Sequence, residues 1–140
     1  MFVRLSEDES LKLIERARVA RLGCIVDGGP YVVPINCYYS DGCLYSHSLQ
    51  GKKISALREN PKACLQFDEV ESDLEWRSVL AFGTYEEIGT PVERSEILNK
   101  LLQRFPMLTP VESAIAEDAS YPTVIVYRIR IDRITGVSEE

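Results

Sequence analysis

The sequence predicts a mainly β fold: a small antiparallel barrel or sheet with flanking helices. Three observations predict it. About six segments are rich in β-branched and aromatic residues, while only a few stretches carry helical periodicity. The early strands are separated by short Asp/Gly turns, which make hairpins rather than crossovers. Strands and helices do not alternate as a parallel β-α-β array requires.

The elements follow in order. Ser6 with Glu9 three residues on reads as a capping box, and Leu11, Ile14, Ala17 and Arg18 continue at helical spacing, so a helix is expected at about 7–18. "ARLGCIV" (20–26) is a strand, "DGGP" (27–30) a turn and "YVVPINCYY" (31–39) a second strand. Pro34 inside that strand cannot donate a ladder hydrogen bond; it calls for an edge, a bulge or a neighbouring ligand. "SDG" (40–42) closes a tight hairpin with "CLYSHS" (43–48). Gly51 to Arg58 is a short helix stopped by Asn60-Pro61, and "KACLQFDEV" (62–70) is a strand. An acidic loop (71–75) leads to the strand "WRSVLAFGTYEEI" (76–88), in which Gly83 permits a bend or bulge. Thr90 and Pro91 open a helix to Phe105, with Ile97, Leu98, Leu101 and Leu102 on its apolar face. A short helix is expected over 109–117 and a final strand over 123–135, with Arg128, Arg130 and Asp132 on a solvated face opposite Ile129 and Ile131.

At 140 residues the chain is expected to form one domain with a real core. A net charge of −6 and a pI near 4.9 speak against general nucleic-acid binding, which needs a basic face. The N-terminus lacks the pattern of a signal peptide, and no apolar run approaches the roughly 18 residues of a membrane-spanning helix. A cytoplasmic location is the expectation. Cys24, Cys37, Cys43 and Cys64 form no C-x-x-C, and one histidine cannot complete a usual zinc pattern, so four buried free thiols are expected and no metal site.

The stretch "HSLQGKK" (47–53) stands out in so acidic a chain, holding its only histidine and its only adjacent pair of basic residues. Gly51 opens a helix directly after a strand, where unpaired N–H groups and the helix dipole attract anions. Lys52 and Lys53 oppose that dipole, so they suit a bound anion, with Ser48 within reach and phosphate the natural candidate. Two solvated surface lysines explain the same residues. The pattern is no Walker A loop, which needs G-x-x-x-x-G-K-[ST] after a parallel strand. His47 at a strand end can touch a ligand, give a proton, or satisfy a half-buried hydrogen bond; alone it supports no catalytic assignment.

In order and spacing, V-P-I-N on one strand, H-S on the next, G-K-K opening a helix and W-R-S-V on a later strand make residues 20–88 resemble a known family. It is the pyridoxamine 5′-phosphate oxidase-related FMN-binding split-barrel proteins, and the chain looks most like their 5-nitroimidazole resistance-type, nitroreductase-like branch. The resemblance implies a six-stranded antiparallel split β-barrel and a homodimer with two FMN sites at its interface. Lys53 and Lys52 would hold the FMN phosphate with Ser48 and the Gly51 backbone, and His47 would lie by the ribityl chain or ring. Val33, Pro34, Ile35 and Asn36 would run along the isoalloxazine edge. Trp76, Arg77, Ser78 and Val79 would complete the pocket, from the same or the partner subunit; a core or interface anchor is the plainer role for Trp76. The chain lacks the family oxidases' extra length and C-terminal arginine-rich signature, which speaks against vitamin B6 oxidation.

The function so implied is an FMN-dependent oxidoreductase. It would carry electrons from NAD(P)H or another reductant to a small acceptor: a nitro compound, a quinone-like molecule or oxygen. No residue stands out as catalytic acid or base, as fits chemistry carried by a cofactor. The alternatives are a non-enzymatic flavin-binding or sensing module, or a split barrel using haem or F420.

Overall fold

The computed structural model describes residues 1–105 and 124–140; the helix expected over 109–117 lies outside them. The described chain runs β1 (Phe2–Arg4), α1 (Glu7–Arg16), β2 (Ala20–Val26), β3 (Gly29–Ile35), β4 (Tyr38–Ser40), β5 (Cys43–Leu49), α2 (Lys52–Glu59), β6 (Lys62–Ser72), β7 (Glu75–Glu87), α3 (Pro91–Arg104) and β8 (Val124–Glu139). One eight-stranded antiparallel sheet has the order β3-β2-β6-β7-β8-β5-β4, and β1 pairs with the end of β8. The two ends of that path, β3 and β4, are joined by Asn36 and Cys37 alone, so the sheet must curl until its edges nearly meet. This is a barrel left unbonded along one seam.

Three departures from the sequence expectation have physical causes. The strand expected over 31–39 is two strands, because β3 pairs with β2 and β4 pairs with β5. Asn36 pins the crossing: its amide donates to the Arg18 carbonyl at 2.8 Å, and its own carbonyl accepts from the Ser46 hydroxyl at 2.7 Å. The described residues hold eight strands rather than six, the break at 36–37 adding β4 and the N-terminus adding β1. The acidic loop shrinks to Asp73 and Leu74, with β6 and β7 running almost to the turn.

Turn chemistry sets the registers. In both early hairpins the two loop residues have positive φ, Asp27 (51°) with Gly28 (78°) and Asp41 (48°) with Gly42 (80°), the geometry that follows the right-handed twist of the strands. The Ser6–Glu9 capping box starts α1, as expected, but the helix ends at Arg16 because Ala17 is extended and β2 begins at Ala20. At Gly83 the β7–β8 register slips by a residue, and Asp132 is left over on β8. A Cβ at Gly83 would collide with the Arg130 carbonyl and lie 2.7 Å from Ile129 Cγ2, so only glycine lets the strands approach there.

Alternation divides the side chains between two cores. Leu22, Leu44, Leu65, Phe67, Val79 and Tyr127 fill the barrel, whose ends are stoppered by Leu13 and Ile14 of α1 and Ile54 and Leu57 of α2. On the outside, Ile97, Leu98 and Leu101 of α3 lie on Val124 and Val126 of β8. Each fully buried aliphatic chain contributes about 1.5–3 kcal/mol. Arg128 and Arg130, expected to be solvated, both pair with Glu86, at 2.8 and 2.5 Å.

All four cysteines are free. Cys24 and Cys37 are buried as expected, whereas Cys43 and Cys64 are only half-buried. Burial pushes the Cys37 thiol up to about 12, against a small opposing effect of Arg104. Two outcomes follow. Gly83→Ala should cost about 1–3 kcal/mol in denaturant unfolding, the range for overpacking. Iodoacetamide at about pH 8 should leave Cys37 unmodified in the folded protein, because almost none of it is thiolate; peptide mass mapping reads the result.

Candidate functional site

The strongest anion-attracting feature is the start of α2. Gly51 is its N-cap, extended at φ −176°, and no side chain caps the helix. No acidic residue stands in the first turn, where Lys52 and Lys53 are the first two helical residues. The first intrahelical bond runs from the Ser55 N–H to the Gly51 carbonyl, so the earlier N–H groups point out of the helix end. A Cβ on Gly51 would meet nothing within 4 Å, so the approach is open. Ile54 and Leu57, both 0 % exposed, anchor the helix in the barrel core and hold this end in place.

Neighbouring residues divide between faces. His47 and Ser48 are consecutive on β5 and point to opposite sides. His47 stands opposite Val126, on the face that α3 covers. Ser48 stands opposite Ile125, on the barrel side, and its hydroxyl donates to the Leu49 carbonyl at 2.8 Å.

β3 is an edge strand, which accounts for Pro34. Pro30 and Pro34 pair with Ile25 and Arg21 of β2 and share one phase. Their missing N–H groups therefore fall on the free edge, while the residues between them carry the ladder to β2. Val33 packs on the barrel core and Ile35 is buried in it, whereas Pro34 and Asn36 are exposed. The free edge offers backbone carbonyls along the seam, and Asn36 closes it.

The remaining expected site residues lie on β7. Trp76 is half-buried, edge-on to Phe2 with ring centroids 5.6 Å apart. Arg77 is exposed, Ser78 is half-buried and Val79 is fully enclosed in the barrel. Pro34, Arg21, Gln66 and Leu80 stand in one row across β3, β2, β6 and β7. At about 4.8 Å per strand, the β3 and β7 segments are about 14 Å apart along the sheet.

Between them lies a polar array that sequence reasoning missed. Arg21 pairs with Asp68 at 3.1 Å, and the Gln66 amide donates to Asp68 at 3.2 Å and to the Ser78 hydroxyl at 3.1 Å. Alternation in "ARLGCIV" separates Arg21 from the core face, but its partners appear only once β2 is laid beside β6. The start of α2 reaches this same sheet: Lys53 is close enough to Cys24 of β2 to favour its thiolate, although burial is the larger influence and raises that thiol. Among the described residues no group of three or more His, Cys, Asp or Glu could hold a metal ion.

Comparison with known proteins places this arrangement. An uncharacterized protein of Rhizobium meliloti (strain 1021) is 35% identical over 97% of this chain and 95% of its own length. The crystal structure of a FAD-binding protein from Mesorhizobium loti superposes with a TM-score of 0.81 at 31% identity, covering 100% of this chain and 99% of that one. A candidate 5-nitroimidazole antibiotic resistance protein from Bacteroides thetaiotaomicron shares the fold, with a TM-score of 0.79 at 23% identity over 99% of this chain and 87% of its own. The sequence profile of the pyridoxamine 5′-phosphate oxidase family matches residues 6–138. With its curled antiparallel sheet and open edge at Asn36, this chain belongs to the pyridoxamine 5′-phosphate oxidase family.

Proposed function

We propose that this protein is an FMN-binding oxidoreductase of the cytoplasm that works as a homodimer. The observation that carries the reading is the start of α2: an open, uncapped helix end with two lysines and no acid, in a chain of net charge −6. Such an end loses helix stability to its own dipole unless an anion sits there. A flavin mononucleotide fits the rest of the surroundings. It needs a phosphate cradle, a flat slot and a few backbone hydrogen bonds to the ring. Lys52, Lys53 and the Gly51 backbone would hold the phosphate, with the Ser48 hydroxyl able to turn from the Leu49 carbonyl and donate to it. The free carbonyl of Pro34 would face the ring's polar edge, with Val33 and Ile35 beside it on the strand and Asn36 holding the seam in register. Bound there, the flavin supplies hydride and electron transfer from NAD(P)H or another reductant to a small acceptor such as a nitro compound, a quinone or oxygen.

The distance of about 14 Å between the β3 and β7 segments supports the homodimer. Trp76, Arg77 and Ser78 are too far along the sheet to share a ligand edge with Pro34 in their own chain, so a second copy would bring them. The Mesorhizobium relative is a FAD-binding protein, so FAD is the second reading for the cofactor. Four free thiols fit a reducing compartment.

Absorbance of the purified protein, with the mass of whatever it releases on denaturation, tests the cofactor. Flavin bands and released FMN are expected; a Soret band with no released flavin would sink the flavin reading. Lys53→Ala should weaken FMN retention by about tenfold or more, the worth of one charge-assisted contact to phosphate. Lys62→Ala, at the start of β6, should leave retention unchanged, and equal losses would count against the cradle. NAD(P)H consumption with a nitroaromatic or quinone acceptor distinguishes an enzyme from a flavin-binding module, in which bound FMN would stay oxidised.

A further inference from the structure

The two edges of β8 are unequally covered. β7 runs along one edge from Tyr127 to Glu139. On the other edge β5 covers β8 up to Arg130, and β1 covers it from Val137, both antiparallel. Between them no described strand pairs with β8. At one end of this gap the Ile131 N–H bonds the Gly42 carbonyl at 3.0 Å; at the other the Leu5 N–H bonds the Gly136 carbonyl at 2.9 Å. Since Gly136 turns its carbonyl to the gap, Ile134, two residues earlier, turns both its N–H and its carbonyl there. The odd spacing from Ile131 to Ile134 is the work of Asp132, the residue left over at the β7–β8 register slip. Ile134 packs on the barrel core, so its two polar groups sit at a half-buried place where backbone groups require partners. Two cavities, of about 700 and 180 Å³, lie along this stretch. They share Glu7, Asp132, Arg133 and Ile134, and together they reach from Arg4 to Gly42.

We propose that this gap is a peptide-binding site, where a short extended segment of a partner protein joins β8 as the missing strand, in line with β1 and β5. An extended backbone answers both groups of Ile134 at once, giving its N–H to the carbonyl and its carbonyl to the N–H. Three residues opposite Thr135, Ile134 and Arg133 fill the gap, about 10 Å at the rise of a strand. The faces then select side chains. Arg4 stands opposite Val137 and so shares a face with Thr135 and Arg133. A residue opposite Thr135 lies in line with Arg4 and diagonal to Arg133, which suits an acid. The next, opposite Ile134, turns to the core side, where Leu5 and Leu11 line the cavities, and is apolar. The third approaches Asp132, which accepts from the Thr84 hydroxyl at 3.0 Å, and Glu7 lines the same cavity, so a second acid is disfavoured. Running antiparallel to β8, the segment reads acid, apolar, uncharged. A second copy of the chain is a poorer occupant. The ends of its sheet are β3, which lacks donors at Pro30 and Pro34, and β4, which is three residues long.

The probe is the blocked tripeptide acetyl-Glu-Val-Thr-amide, its binding to the purified protein followed by ligand-observed NMR. Binding at about millimolar concentration is expected, as suits a few backbone hydrogen bonds. The same probe N-methylated at its valine loses the donor to the Ile134 carbonyl and should bind about tenfold more weakly or not at all. Ile134→Pro removes the N–H on the gap side and leaves the β7 ladder intact, so it should weaken the parent probe by a similar factor, with melting temperature as the check on its fold. Arg4→Gln should weaken the parent probe about threefold, the worth of an exposed ion pair, and leave the binding of acetyl-Gln-Val-Thr-amide unchanged. Absence of binding to the wild type, or equal binding of the parent and N-methylated probes, would overturn the proposal. So would a change of oligomeric state on adding the probe, which would make the gap a contact between copies, or release of flavin by it, which would make the gap part of the cofactor site. Binding by a protein that holds no flavin would leave the gap standing without the flavin reading.

Discussion

The constraint on which the structure depends is the two-residue passage from β3 to β4. Because Asn36 and Cys37 carry the chain from one edge of the sheet to the other, seven strands in the path must curl through nearly a full turn. Asn36 holds that passage from both sides, through its amide to the α1–β2 linker and through its carbonyl to β5. Strand edges are otherwise a hazard, since their unpaired groups template association. Here Pro30 and Pro34 blunt the β3 edge by removing donors, and what remains along the seam is a row of acceptors beside an open helix end.

Curling sorts everything else. Each strand gives one face to the barrel and one to the outside, so a single alternating sequence supplies both a closed core and outward surfaces for other purposes. α3 covers the outer face of β5 and β8, and α2 stoppers the barrel beside β2. No described helix lies on the outer face of β3, β2, β6 and β7, where the Arg21–Asp68–Gln66–Ser78 array and Gly23 lie side by side. The anchoring of α2 matters for the same reason. Ile54 and Leu57 hold it rigidly enough that its cationic end has a fixed position relative to that face, as a binding site requires.

Local chemistry was legible in the sequence where it was local in space. The Ser6–Glu9 box, the two Asp-Gly turns and the Pro91 start of α3 each depend on residues within a few positions of one another, and Gly83 marked its own bulge although the Arg130 carbonyl that demands it lies on β8. The passage at Asn36 was not legible, because "YVVPINCYY" has the composition of one uninterrupted strand; only the change of pairing partner, from β2 to β5, divides it. β1 escaped notice because three residues carry no period, and they are ordered by β8 at the other end of the chain. The array on the outer face was hidden for the same reason, its members coming from three strands. The candidate site was half legible: "HSLQGKK" and Pro34 announced themselves, whereas the division of His47 from Ser48 and the distance to Trp76 needed the register.

Two residue choices in this chain oppose the preference of the element that contains them. Lysines at the start of α2 oppose its dipole. Glycine in the middle of β2 gives up strand propensity and side-chain packing with no steric demand in return. Natural sequences are locally consistent, and breaches of that consistency gather where binding is served at the expense of stability. Lys53 lies close enough to Cys24 to act on its thiol, but Cys24 points into the barrel whereas Gly23, the residue before it, faces outward. The two breaches therefore serve opposite sides of β2: the lysines crowd the barrel end that α2 stoppers, and the glycine thins the outer face of the sheet.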